Sequence, residues 1–83
     1  MIVFRYKNMI KYNLKELIAK KSSIENRKIT LDEVATAAGV NKAAISKMSS
    51  NTNYSTTTRT LDALCIYFDC RVEDIIEHIK PQT

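Results

Sequence analysis

Four side chains in the middle of the chain have the types and the spacing of a surface that contacts nucleic acid. They are Lys42, Ala43, Ser46 and Lys47, and positions i, i+1, i+4 and i+5 share one face of a helix. A lysine ammonium can donate to guanine O6 and N7, and an alanine methyl can pack on the methyl of thymine. A small, polar and positively charged face of this kind suits a helix that lies in the major groove of DNA.

Two short helices joined by a tight turn would position that face. Thr30 and Glu33 form a T-x-x-E capping box, which predicts the start of the first of these helices. Gly39, the only glycine of the chain, follows this helix where a left-handed backbone is needed. Asn41 is predicted to cap the second helix and Ile45 to point into the core.

Three further helices are predicted around this pair, which indicates an all-α fold of five helices. The first helix begins at a cap formed by Asn13 and ends before a polar connection at residues 22–29. The fourth ends at about Phe68, and the fifth covers about Val72 to Lys80, where Pro81 stops it. Helical spacing predicts the inward positions of the last two helices to be Leu61, Leu64, Cys65, Phe68, Val72, Ile75, Ile76 and Ile79.

The first eight residues are interpreted as an extension before a domain that covers residues 9–80, with a tail at residues 81–83. Residues 2–7 are mostly β-branched or aromatic, so a short strand that pairs with another strand is one alternative. A second is that Met9 is the true start of translation. A third is an arm that touches DNA through Arg5 and Lys7.

Charge is distributed unevenly along the 83 residues, whose formal net charge is +4. Residues 1–28 contain eight basic and two acidic side chains, whereas residues 61–83 contain two basic and five acidic ones. A basic front and an acidic rear suit a single small domain that turns one side towards phosphates.

Other classes of protein find little support in the sequence. No apolar run could cross a bilayer and no signal peptide with a cleavage site is recognisable, so a soluble, cytoplasmic protein is expected. Cys65 and Cys70 form no C-x-x-C motif and the single His78 is distant, so buried, reduced thiols are expected rather than a metal site. The acidic pairs 32–33 and 73–74 lie at predicted helix starts, where the helix dipole explains them. Without a nucleophile–base pair or a phosphate loop, neither an enzyme nor a cofactor is expected.

A family resemblance rests on three blocks of sequence. Within Thr30 to Met48, the pattern T-x-x-E-V-A-x-x-A-G-V-N-x-x-x-I-S-x-M resembles the helix-turn-helix of the XRE family, which includes phage repressors and Cro. Met9 to Ser22 looks like the opening segment of a compact bacterial branch of that family, and Leu61 to Ile79 looks like its last two helices. The resemblance covers most of the chain and implies a compact repressor-like fold.

The resemblance also implies which residues read bases. Lys42, Ala43, Ser46 and Lys47 match the recognition positions of the family. Lysine and serine are weak specifiers compared with arginine, glutamine or asparagine, so the two lysines could instead contact phosphates only. Asn41 is expected to cap the helix, and it could also present its amide to a phosphate.

Contacts to the DNA backbone are implied on both sides of the predicted helix pair. The family often has glutamine just after the first cap, where this chain has Leu31, and Lys28 and Thr30 could partly replace that phosphate contact. After the recognition helix the family often has Asn-Gly, where Asn51 can serve as the turn residue. Arg59 follows near the place where repressors position basic residues on the backbone.

The expected function is sequence-specific binding of double-stranded DNA by a transcriptional regulator, with repression as the expected effect. A homodimer is expected because a second copy would stabilise a small core and would add binding surface that a single small module lacks. No small-molecule ligand is inferred. The alternative is a protein-interaction module, such as an antitoxin or a phage accessory protein, that uses the same fold without DNA.

Overall fold

Five helices and two short strands make up the described part of the chain. The computed structural model describes residues 9–50 and 54–79. In chain order the elements are β1 (Met9–Tyr12), α1 (Leu14–Glu25), α2 (Leu31–Ala38), α3 (Lys42–Ser50), α4 (Thr58–Phe68), α5 (Val72–Ile75) and β2 (Ile76–Ile79). The predominantly helical fold is as expected. The all-α expectation is nevertheless wrong, because β1 and β2 pair as a two-stranded antiparallel sheet.

One hydrophobic cluster joins the helices to the sheet. Leu14, Val34, Ile45, Leu64 and Ile75 come from five different helices, and all are fully buried. The sequence-based prediction that Ile45 points inward is therefore confirmed. Because α3 is held to this core by one side, its other side is left facing solvent.

The predicted fifth helix is wrong beyond its first turn. Only Val72–Ile75 is helical, and residues 76–79 form β2 instead. In the sheet Tyr12 lies opposite Ile76, and the backbone N–H of Asn13 donates to the carbonyl of Ile75 at 2.7 Å. The spacing of the isoleucines fits a helix, but isoleucine also favours strands. Pairing with β1 therefore decides that residues 76–79 form a strand. The inward assignment of Val72 is wrong too, since that residue is 43% exposed.

The boundaries of the first helix also differ from the prediction. α1 continues to Glu25 and ends at Asn26, whose φ of 53° is left-handed, so residues 22–25 are helical rather than part of a connection. Lys21 and Glu25, one turn apart, form an ion pair at 2.8 Å that supports this extra turn. The side chain of Asn13 does not cap α1, because its amide donates to the carbonyl of Asp74 at 3.4 Å.

The two cysteines lie in α4 and just beyond its end. Cys65 and Cys70 are free thiols and each is half-buried, and desolvation raises the pKa of the Cys70 thiol. Within residues 9–50 and 54–79, no group of acidic, His or Cys side chains is arranged to hold a metal ion, and no helix is both long and apolar enough to cross a membrane. The predictions for residues 1–8, Asn51 and residues 80–83 lie outside the described residues.

Candidate nucleic-acid interface

The first helix of the predicted pair begins as its capping residues indicate. Thr30 has an extended backbone, and its Oγ1 accepts a hydrogen bond from the Glu33 N–H at 3.2 Å. The second half of the predicted capping box is replaced by another contact. The Glu33 carboxylate accepts from Arg27 instead, and this hydrogen bond holds the pKa of Glu33 below its usual range.

The turn between α2 and α3 depends on a left-handed residue. Gly39 has a φ of 71°, and the backbone N–H of Val40 donates to the carbonyl of Ala35 at 3.0 Å. Gly39 is thus the C-cap of α2, as its position in the sequence predicts. Val40 packs against the core and fixes the direction in which the chain enters α3.

The second helix of the pair is capped and oriented as predicted. Asn41 Oδ1 accepts a hydrogen bond from the Ala43 N–H at 2.7 Å, so Asn41 serves as the N-cap of α3. Ile45 and Met48 are buried on its inner side. The outer side exposes the four predicted contact residues, Lys42, Ala43, Ser46 and Lys47. We call these four residues the outer face of α3.

Two lysines of the outer face differ in their surroundings. Lys42 Nζ lies 2.7 Å from Asp32 Oδ1, and the two side chains are 70% and 63% exposed. Lys47 Nζ lies 5.9 Å from the ring centroid of Tyr54, within the range of a cation–π contact. The face is therefore flanked by an acidic residue from α2 at one end and by an aromatic residue at the other.

Sequence reasoning did not place Asp32 and Tyr54 beside the outer face. Asp32 lies in the first turn of α2, where the helix dipole alone accounts for a carboxylate. Its pairing with Lys42 depends on how α2 packs against α3, and no spacing along the chain reveals that. Tyr54 reaches Lys47 from the segment before α4, and the Tyr12 hydroxyl donates to the Tyr54 carbonyl. The bond between Tyr12 and Tyr54 spans 42 residues of chain, and the contacts of the two lysines join separate elements, so spacing within one element carries no signal for them.

The remaining candidate contacts occupy other elements. Lys28 is exposed in the connection before α2, and Arg59 is exposed in the first turn of α4. α4 begins at the cap Thr57, whose Oγ1 accepts from the Thr60 N–H at 3.1 Å. Lys28 and Thr30 adjoin the start of α2, which itself packs against α3. Asn51, the other candidate, is outside the described residues.

Comparisons with known proteins agree with this geometry. The family profile described as a Cro/C1-type HTH DNA-binding domain matches residues 13–81. The crystal structure of the transcriptional regulator VanUg, in its form II, is similar with a TM-score of 0.69 and 26% sequence identity, over 90% of this chain and 92% of that one. The comparison with curated proteins finds no significant match. Because the family profile spans both helices of the pair and most of the core around them, the chain belongs to the family of Cro/C1-type HTH DNA-binding domains.

Proposed function

We propose that the protein is a transcriptional regulator that binds double-stranded DNA sequence-specifically through the outer face of α3, and that it acts as a repressor. The observation that carries the proposal is the orientation of α3. Burial of Ile45 and Met48 leaves two lysines, a serine and an alanine exposed together on a capped helix. Lysine and serine can donate to phosphates and base edges, and alanine can pack on a thymine methyl. The likeness to a transcriptional regulator over nearly the whole chain supports the same function.

The candidate residues divide into two roles on this proposal. Lys42 and Ala43 read base edges, with Ser46 and Lys47 one turn further along the groove. The residues proposed to contact phosphates are Lys28, Thr30, Asn41, Asn51 and Arg59. Thr30 Oγ1 already accepts a hydrogen bond, but its hydroxyl proton remains free to donate to a phosphate oxygen. Likewise Asn41 uses its oxygen as a cap and keeps its amide nitrogen as a donor.

We further propose that the active form is a homodimer that works in the cytoplasm. One small module buries too little surface for high specific affinity, and two copies can occupy successive major grooves. We expect residues 1–12, the segment predicted as the fifth helix (about Val72 to Lys80), or both to contribute to the interface, since a sheet of two short strands, as in the described part of the chain, is marginal alone. Sedimentation of the free protein as a monomer at about tens of micromolar would contradict this assembly, because contacts strong enough to help DNA binding are expected to persist there.

DNA binding is tested by titrating the wild type and a Lys42→Ala, Lys47→Ala double variant against duplexes selected from a randomised library. We expect the double variant to bind more weakly. The slope of log affinity against log salt concentration should also be shallower, by about 0.9 for each phosphate that the variant no longer neutralises. The matched control is a Lys20→Ala, Arg71→Ala double variant, which removes the same charge from exposed positions outside α3. Equal weakening in both double variants would mean that the outer face of α3 has no special role.

Repression is tested with a reporter promoter that carries the selected site. We expect the wild type to lower transcription and the α3 double variant to restore it. A rise in transcription with the wild type would identify an activator. Absence of binding to any duplex at low salt would contradict the proposed function and favour the protein-interaction alternative.

A further inference from the structure

The ion pair between Asp32 and Lys42 crosses from α2 to α3 at the exposed side of the helix pair. The two atoms that meet, Asp32 Oδ1 and Lys42 Nζ, are 2.7 Å apart. Both side chains are well over half exposed, and ion pairs in such surroundings contribute little to folding. The helix dipole accounts for a carboxylate in the first turn of α2, but the ion pair itself adds little stability, so its main effect is on what Lys42 can bind.

We propose that Asp32 is a specificity-determining residue that directs Lys42 to a guanine base edge and away from the phosphates. The inference rests on the proposed DNA-binding function and assigns a role to one more residue of the same site. A lysine ammonium has three N–H donors. One donor can stay with Asp32 while the others meet guanine O6 and N7, which are neutral acceptors.

A phosphate is a poor partner for Lys42 while Asp32 is ionised. A phosphate oxygen that accepts from Nζ would come within a few ångströms of the carboxylate that is already bound there. Like charges at that separation repel each other, and exclusion of water from the interface strengthens the repulsion. Neutral base edges are not repelled in this way, so Asp32 makes Lys42 bind a base edge in preference to a phosphate.

The pair also matches the two halves of one base pair. In the major groove, guanine presents two acceptors and cytosine presents the N4 donor. Lys42 supplies donors, and the adjoining carboxylate of Asp32 supplies acceptor oxygens. A donor and an acceptor placed side by side in this order are complementary to a G·C pair. They are mismatched to a C·G pair, which presents its acceptors and donor in the reverse order. With Asp32 beside it, Lys42 can distinguish between base pairs better than an isolated lysine can.

The experiment compares selection from a randomised duplex library by the wild type, Asp32→Asn, Asp32→Glu and Lys42→Ala. We expect the wild type to select G·C in one orientation at one position, with about 5- to 150-fold discrimination against other pairs. Asp32→Asn and Lys42→Ala should both lose preference at that same position. Asp32→Glu keeps the charge and should retain part of it. The matched control is Asp62→Asn, which neutralises an exposed carboxylate on α4 and should leave every preference unchanged.

Binding to duplex of random sequence provides a second measurement. With Asp32 neutralised, Lys42 can donate to a phosphate oxygen, so Asp32→Asn should bind random duplex more tightly at low salt. Its salt slope should be steeper by about 0.9, which corresponds to an additional drop of about threefold in affinity between about 50 and 200 mM salt.

The outcomes separate the role of Asp32 from DNA binding itself. Selection of the same sites by Asp32→Asn and by the wild type would overturn the role of Asp32 and leave the proposed function intact. Equal increases in affinity with Asp32→Asn and Asp62→Asn would overturn it as well, since the effect would then be one of total charge. If the wild type binds no duplex at low salt, both proposals are overturned. Circular dichroism of each variant confirms that the fold is retained.

Discussion

Arg27 and Glu33 form a two-pronged ion pair, with Nη1 2.9 Å from Oε1 and Nη2 2.5 Å from Oε2. The pair ties the connection after α1 to the first turn of α2. Arg27 Nε also donates to Glu25 at 3.0 Å, so this guanidinium is held within the protein. At the neighbouring Lys28 no ion pair forms among the described residues. Lys28 is proposed to contact phosphate from its position just before the Thr30 cap, and the lack of an ion pair among the described residues leaves its ammonium available for that contact.

Replacement of Arg27 by glutamine should raise the pKa of Glu33 towards its ordinary value. The Arg27 hydrogen bond is the main cause of the lowered pKa. A carboxyl with a lowered pKa in the folded state stabilises the protein above the pKa of the unfolded chain, and that contribution is lost as pH falls through the folded pKa. The stability difference between wild type and variant should therefore be present at neutral pH and disappear in acid. NMR titration of the Glu33 carboxyl measures the pKa, and Arg71→Gln, which removes the partner of Glu73 instead, should leave it unchanged.

Replacement of Gly39 by alanine should lower the free energy of unfolding by about 1–2 kcal/mol. A Cβ atom at this position would meet nothing within 4 Å, so the cost comes from the φ of 71° and not from a clash. Gly39→Asn should cost less, because asparagine tolerates this backbone and Asn26 already adopts it with a φ of 53°. Urea denaturation of both variants provides the comparison. Equal decreases for alanine and asparagine would mean that side-chain packing, rather than backbone strain, determines the cost.

Ile45 and Ile66 both lie on helices but differ in burial, so their replacement should affect stability to different extents. Ile45 on α3 is fully buried and Ile66 on α4 is 74% exposed. Ile45→Ala should lower the free energy of unfolding by about 2–5 kcal/mol, whereas Ile66→Ala should change it by no more than about 0.5 kcal/mol. Thermal unfolding of the two variants tests this. A small effect at Ile45 would contradict the orientation of α3 on which the outer face depends.

Removal of the hydroxyls of Tyr12 and Tyr67 should have different effects on the free energy of unfolding. The Tyr12 hydroxyl donates to the Tyr54 carbonyl and ties β1 to the segment before α4. Tyr12→Phe should therefore lower the free energy of unfolding by about 0.5–1.5 kcal/mol. The Tyr67 hydroxyl is buried and has no hydrogen-bond partner among the described residues, so Tyr67→Phe should leave stability unchanged or raise it. Chemical denaturation measures both, and a large destabilisation at Tyr67 would show that its hydroxyl has a hydrogen-bond partner.

Much of the site could be predicted because its determinants are local. A cap at Thr30, a left-handed residue at Gly39 and a cap at Asn41 each act within a few residues of chain. Together they set the limits of α2 and the start of α3. The apolar spacing that buries Ile45 then decides which side of α3 faces outward. For this part of the molecule, sequence periodicity and capping chemistry were sufficient.

The rest depended on contacts between separate elements of the fold. Ile76 and Ile79 have a spacing that fits a helix and a residue type that favours strands, and pairing with residues 9–12 makes β2 a strand. In the same way, the contacts of Lys42 with Asp32 and of Lys47 with Tyr54 exist because separate elements pack together. The helix pair and its exposed face were predictable from the sequence, since hydrogen bonds and periodicity within short segments specify them. The sheet and the neighbours of the two lysines could not be predicted, because the sheet pairs segments more than sixty residues apart and the lysine contacts depend on how separate elements pack.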